Sequence, residues 1–325
     1  MKRFQSKRSK IWWTLLKLGG CGALIAAIAT TIAILGTSSE SHADIAWLSP
    51  FERSNQESFQ SALENLGHEQ PRRYNLNGNT VFFSTNTSRK SPRQLMVEYQ
   101  EEFQRQGIND RVYVDVGPQA RQERTETALT GGLIPLVVTD RYVALAGVVT
   151  ANDADDPSTL LENYGDADKM SELFRAHRFI ELTRAPDSRH TSIVASWSDE
   201  EFDYARMVPG SDAEGQIYDT VVPVCPGCTR LSRFADENRG GRQVEMSFIG
   251  PRTIDETRHY YAHTLTNQGW QREDLSQPFA EIEKVFETDL PHGKSDLYRL
   301  GDKHLKLSFL TDDRTGHTIT IATYE

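Results

Sequence analysis

The sequence predicts an α+β protein in which an N-terminal transmembrane helix precedes two tandem repeated modules, each a mainly antiparallel sheet with a helix on one face. Three observations lead there. Residues 18–35 hold no charged side chain and follow six cations. A strand, a helix-capping box, a tyrosine and a glycine recur in that order 162 residues apart, Tyr99 with Tyr261 and Gly107 with Gly269. A strand opening on His-Thr recurs 127 residues apart, at His190 and His317.

Composition sets the frame for these signals. The 325 residues are 38% hydrophobic and 25% charged, which excludes collagen-like, disulfide-dense and wholly disordered chains. The net charge of −10 is unevenly spread. Residues 1–36 carry six Lys+Arg and no Asp or Glu, so the rest holds 30 cations against 46 carboxylates, a net of −16. A body that acidic repels phosphate backbones, and nucleic acid is not an expected partner.

The first element is the anchor. Residues 1–10, with Lys2, Arg3, Lys7, Arg8 and Lys10, read as a cytoplasmic basic tail, and 11–36 as a span whose partner is the lipid bilayer. A helix over Leu18–Leu35 covers about 27 Å, close to the hydrocarbon thickness. Trp12 and Trp13 suit the cytoplasmic interface, and Lys17 can snorkel towards it. The bulk of the chain is then extracytoplasmic, held at the inner membrane. Cleavage after Ser41-His42-Ala43, which would release the protein to the periplasm, is the alternative. Against it, the apolar run is longer than a signal core, and eight residues separate it from the cut. Lipidation at Cys21 fits worse, because most of the apolar run follows that cysteine.

Residues 37–70 read as a polar tether and a short helix from about Gln56 to Leu66, with Phe59, Leu63 and Leu66 at helical spacing and Gly67 as its stop. The first module is expected over 71–210 and the second over 221–325. Val81–Ser84 and Val244–Ser247 are short strands. Ser91 with Gln94 and Thr253 with Glu256 are capping boxes, in which the hydroxyl accepts from the amide three residues on and the Gln or Glu side chain reaches back. Pro92 suits the first helical position. Leu95, Tyr99 and Phe103 fall within about 80° of arc, as do Ile254, Thr257, Tyr261 and Leu265, so each helix has one face to bury. Gly107 and Gly269 sit where a left-handed residue ends a helix. The terminal hairpins pair Arg178–Thr183 with 190–196 and His304–Leu310 with 317–323; both first strands are expected to alternate, Leu305, Leu307 and Phe309 sharing one face.

The offset falls from 162 to 127, so the first module carries about 35 additional residues, expected near 119–150. They would include strands at Gly131–Val138 and Arg141–Val149 joined at Thr139-Asp140. An acidic stretch at 152–156 and a helix from Ser158 towards Ala176 follow. The region 119–176 is expected either to bind a partner or to cap a sheet edge.

Chemistry is sparser. In Cys225-Pro226-Gly227-Cys228 the Pro-Gly pair specifies a type II turn, which brings the flanking Cα atoms within about 7 Å, and a disulfide spans roughly 4.4–6.8 Å. Cys225 and Cys228 are therefore a disulfide candidate in an oxidising compartment. Redox catalysis would favour a cysteine at a helix N-terminus, and Thr229-Arg-Leu-Ser-Arg233 gives none. Haem attachment needs histidine where Thr229 stands, and zinc needs two further ligands. His259 and His263, with Glu256 near, have metal-ligand spacing but lie on a helix's polar face. His190 and His317 open equivalent strands and read as strand-edge hydrogen-bonding groups rather than bases. Asp199, Glu200, Glu201 and Asp203 around Trp197 and Phe202 read as a solvated turn. No phosphate-loop, nucleophile-elbow or zinc-protease motif appears. No catalytic, metal or cofactor-binding residue is assigned, and no cofactor is expected. The expected function is binding or scaffolding in the cell envelope, with an envelope protein or ligand as partner. An envelope enzyme, a hydrolase or a thiol oxidoreductase, is the alternative.

Overall fold

The structure, a computed structural model, describes residues 55–114, 127–150, 174–199, 201–207, 222–239, 243–273 and 293–325. The expected anchor at 11–36, Cys21, the Ala43 cleavage site and the tether up to residue 54 lie outside them. Among the described residues no helix is long and apolar enough to cross a membrane.

The protein is a sheet-dominated α+β fold with mostly antiparallel strands and few helices. Its residues divide into two compact units. The first comprises residues up to Arg73 together with Asn79–Ala205, and the second comprises Tyr74–Gly78 together with Arg206–Glu325.

In the first unit α1 (Asn55–Asn65) is followed by β2 (Asn79–Ser88), α2 (Pro92–Arg105), β3 (Ile134–Val138), β4 (Tyr142–Thr150), β5 (Phe174–Thr183) and β6 (Thr191–Ser198). The strands lie in the order β3-β4-β5-β6-β2, each antiparallel to its neighbour. In the second unit β1 (Arg72–Leu76, from Tyr74 on) and β7 (Thr229–Asp236) precede β8 (Val244–Gly250), α3 (Ile254–Asn267), β9 (Gln271–Glu273), β10 (Gly293–Leu300), β11 (Lys303–Thr311) and β12 (Thr318–Tyr324). Their order is β1-β7-β8-β12-β11-β10-β9, again antiparallel throughout.

Local chemistry accounts for the helices. Ser91 is extended (φ −68°, ψ 157°), its hydroxyl accepts from the Gln94 amide, and Gln94 Oε1 accepts the Ser91 amide at 2.9 Å. Thr253 and Glu256 repeat this at α3, with Glu256 Oε2 2.9 Å from the Thr253 amide. Each helix ends with a glycine of positive φ, which removes the Cβ penalty: Gly67 (78°), Gly107 (71°) and Gly269 (89°). Beyond each glycine the next amide reaches back across the last turn, His68 to Leu63 O, Ile108 to Phe103 O and Trp270 to Leu265 O.

The cores form where these helices cover the sheets. Phe59 and Leu63 of α1 and Leu95, Tyr99 and Phe103 of α2 bury Val143, Leu145, Ile180, Leu182, Ile193, Ala195 and Trp197. Tyr261 and Leu265 of α3 pack with Met246, Phe248, Leu305, Leu307, Phe309 and Ala322. Each such aliphatic or aromatic side chain contributes about 1.5–3 kcal/mol on removal from water.

Two details differ from the sequence reading. Strand β11 alternates, with Leu305, Leu307 and Phe309 buried, but in β5 every residue from Ala176 to Ile180 is buried. Phe202 and Tyr204 lie on the second face of β5, so both its faces are covered. Secondly, β3 and β4 belong to the sheet of the first unit and hold the first two places in its order. Leu133 and Val143 are fully buried, so this part of 119–150 contributes to the core. The expected helix towards Ala176 has its last residues in β5, which begins at Phe174; its remainder, to residue 173, lies outside the described residues.

Candidate functional site

Cys225 and Cys228 form a disulfide with a Cα–Cα separation of 5.2 Å. The Cys228 amide donates to Cys225 O at 2.8 Å, and Gly227 has φ +80°, the geometry a type II turn requires. Cys225 is buried, and a Cβ at Gly250 would lie 2.4 Å from Cys228 Sγ, so the bridge presses on the end of β8. Arg252 Nε donates to Pro226 O and Tyr260 OH to Val224 O, fastening the turn beside α3. The bridge is wedged against the Gly250 backbone, and burial of Cys225 shields its sulfur from an attacking thiolate.

The helix–sheet interface of the second unit contains a charged group that the sequence reading did not single out. Asp296 on β10 is 3% exposed and takes two hydrogen bonds from Arg258 of α3, Nε to Oδ2 at 2.9 Å and Nη2 to Oδ1 at 2.6 Å. Arg272 of β9 bonds the same carboxylate. Burial pushes the Asp296 carboxyl up, but the hydrogen bonds and charges of Arg258 and Arg272 outweigh it and hold the acid below its ordinary range. Tyr298 follows on the same face of β10, fully buried, with no hydrogen-bond partner for its hydroxyl among the described residues.

In the first unit a hydrogen-bonded chain joins three elements. Tyr99 OH lies 2.7 Å from His68 Nε2, His68 Nδ1 lies 3.2 Å from Ser84 Oγ, and Ser84 Oγ donates to Glu69 O at 2.5 Å. Because the serine proton goes to Glu69 O, the neutral imidazole donates from Nδ1 and accepts the tyrosine proton at Nε2. Desolvation lowers the His68 pKa to about 4. The serine–imidazole contact resembles a nucleophile–base pair, but Ser84 is 3% exposed and its proton is already committed. Its effect is to tie the end of α1 to β2 and α2.

On the opposite face of this unit's sheet stands His177, 1% exposed, with neither ring nitrogen hydrogen-bonded among the described residues. The Phe202 and imidazole rings form a T-shaped pair with centroids 5.0 Å apart and planes at 78°. Burial alone lowers the His177 pKa to about 3.

The remaining sequence candidates are dispersed. His259 and His263 are exposed on α3, His263 beside Asn267, and Glu256 is occupied by its cap. Among the described residues no group of three or more His, Cys, Asp or Glu could hold a metal ion. The His190 and His317 amides donate to Ser188 Oγ and Thr315 Oγ1, closing turns. Of the acidic stretch, Glu200 lies outside the described residues, Asp199 Oδ1 accepts the Glu201 amide, and Asp203 Oδ1 accepts the Ala205 amide. Sequence reasoning missed Arg258–Asp296, His68–Ser84–Tyr99 and His177 because each unites residues distant in the chain; for His177, the one local signal was an imidazole within an apolar strand.

The chain matches no protein-family model, no curated protein and no solved structure.

Proposed function

We propose that the protein is a membrane-anchored extracytoplasmic binding or scaffolding protein of the cell envelope, built from two copies of one module. The observation that carries the location is the uncharged run of residues 18–35 behind a basic flank. The Cys225–Cys228 bridge supports it, since such bridges persist in oxidising compartments.

The duplication has structural support of its own. Helices α2 and α3 have 14 residues each and start at Pro92 and Ile254. Thr191 Oγ1 donates to Lys90 O at 2.8 Å and Thr318 Oγ1 to Arg252 O at 2.7 Å, so the same offsets of 127 and 162 that relate the sequences relate these bonds. The sheet orders β3-β4-β5-β6-β2 and β9-β10-β11-β12-β8 correspond strand for strand. A buried hydroxyl in the serine–histidine contact and a wedged disulfide favour binding over hydrolysis or thiol exchange.

Fractionation of cells expressing the full-length chain tests the reading. The protein is expected in the membrane pellet after an alkaline wash, with Cys225 and Cys228 resistant to alkylation until reduced. An affinity pull-down from solubilised membranes is expected to retain a partner. Unprocessed chain in the cytosolic fraction with both thiols alkylated overturns it, and a mature N-terminus at Asp44 replaces the anchor by secretion.

A further inference from the structure

His177 is a buried side chain of the first unit whose two ring nitrogens have no hydrogen-bond partner among the described residues. Its neighbours among the described residues are uncharged or turned to other partners. Across the sheet, β4 presents Val148, and β6 presents Ser198, whose hydroxyl accepts the His177 backbone amide at 3.1 Å. On β5 itself, Arg175 is exposed, and Glu181, four residues along the same face, bonds to Thr183. The cover is the segment 201–205. Phe202 and Tyr204 are buried, the Phe202 amide donates to Arg175 O at 3.0 Å, and Tyr204 OH donates to Ala176 O at 3.3 Å. Of the acids in and beside that cover, Asp203 Oδ1 holds the Ala205 amide and Asp199 Oδ1 the Glu201 amide; among the described residues none is bonded to the imidazole.

An imidazolium at this place would have two N–H donors and a full charge beside the Phe202 ring and Val148, neither of which offers a hydrogen-bond acceptor. Water is the ready source of acceptors, and it reaches the ring when the segment lifts. Its bonds to the rest of the unit include the two to β5 and a pair with Asn79, whose Oδ1 accepts the Asp203 amide at 2.8 Å and whose Nδ2 donates to Asp203 O at 3.0 Å. The helix-side core lies on the other face of the sheet and contains none of these residues.

We propose that residues 201–205 form an acid-released strap, closed over neutral His177 and opened when that imidazole takes up a proton. The inference is independent of cellular location, although an extracytoplasmic protein would meet such acidity. The closed form holds the proton with a pKa of about 3, and the open, hydrated ring has an ordinary value near 6.5. Protonation therefore favours opening as pH falls below about 6.5, and between pH 7 and pH 4 the opening equilibrium rises about 200-fold.

Hydrogen exchange on the full-length protein in detergent, corrected for the intrinsic pH dependence of exchange, tests this. From pH 7 to pH 4 the Phe202 amide is expected to lose protection by about two orders of magnitude, while amides of β6 and the fluorescence of Trp197 hold steady. His177→Phe fills the same space without a titrating group and is expected to abolish the pH dependence. Should that variant fail to fold, Phe202→Ala serves: it is expected to expose His177 to diethyl pyrocarbonate at pH 7, where the native ring is protected. Unchanged protection of Phe202 at pH 4 overturns the proposal. So does equal loss in His177→Phe, loss only together with unfolding of β6, or labelling of His177 in the native protein at pH 7.

Discussion

Replacing Asp296 by leucine leaves the Arg258 guanidinium beneath α3 without its carboxylate, and a buried uncompensated cation is among the costlier single changes a core can suffer. Because Arg258 is partly open to water and Arg272 is half exposed, the expected loss is about 2–4 kcal/mol, measured by chemical denaturation. In the proposed correspondence Arg258 stands where the first unit has Met96, and Asp296 where it has Leu145, both buried in an apolar core. The double change Arg258→Met with Asp296→Leu is therefore expected to recover most of the loss, and a double variant no more stable than Asp296→Leu counts against the argument. The contribution of Asp296 is also pH-dependent. Its folded carboxyl titrates below the ordinary value, so its stabilisation is complete above about pH 4 and is lost as pH falls through its lowered pKa. None of this was legible locally. The sequence shows an arginine near the apolar face of a helix, but only the pairing of β9 and β10 brings Arg272 and Asp296 to it.

The capped starts of α2 and α3, by contrast, were legible to the residue, because capping is settled by residues three or four apart. Ser91→Ala and Thr253→Ala each remove the acceptor for an orphan amide and are expected to cost about 1 kcal/mol of unfolding free energy, whereas Ser91→Thr and Thr253→Ser cost little. Equal loss in the conservative variants would mean that packing, not the cap, sets these values. Strands were legible where they alternate. Strand β11 was read correctly because one face is buried, and β5 was misread because a segment distant in the chain covers its second face. The cover itself looked like an acidic turn, since its composition conceals that Phe202 and Tyr204 point inwards. The three-residue β9 left too little pattern to find. For β1 a signal was present and unused: Asn77-Gly78 supplies two consecutive positive φ values, 50° and 86°, the pair that a tight reversal between strands requires.

At the scale of the whole chain, β1 decides where the second unit begins. A boundary placed between 210 and 221 follows composition, yet the unit's first strand comes from Tyr74–Gly78, more than 130 residues earlier. The attachment is specific. Tyr74, Asn75 and Leu76 pair with Asp236, Ala235 and Phe234, and the rings of Tyr74 and Phe234 stack at 4.7 Å. Buried Asn77 donates its amide to Arg233 O at 2.8 Å, accepts the Arg233 amide on Oδ1 at 2.6 Å, and donates Nδ2 to Arg206 O at 3.0 Å. A fragment of residues 206–325 therefore lacks a strand that β7 is built to receive. Its Arg233 backbone loses both partners, and β7 presents an open edge that can pair with other chains. That fragment is expected to unfold non-cooperatively or to self-associate, as read by circular dichroism and sedimentation. Joining Arg72–Gly78 to it through a flexible linker is expected to restore a monomer with a single transition, and Asn77→Ala in the joined form to lower its midpoint. A monomeric, cooperative 206–325 would show that β1 is an accessory to this unit. The joined form alone behaving so would make the strand part of its folding unit, although sequence order assigns it to the other.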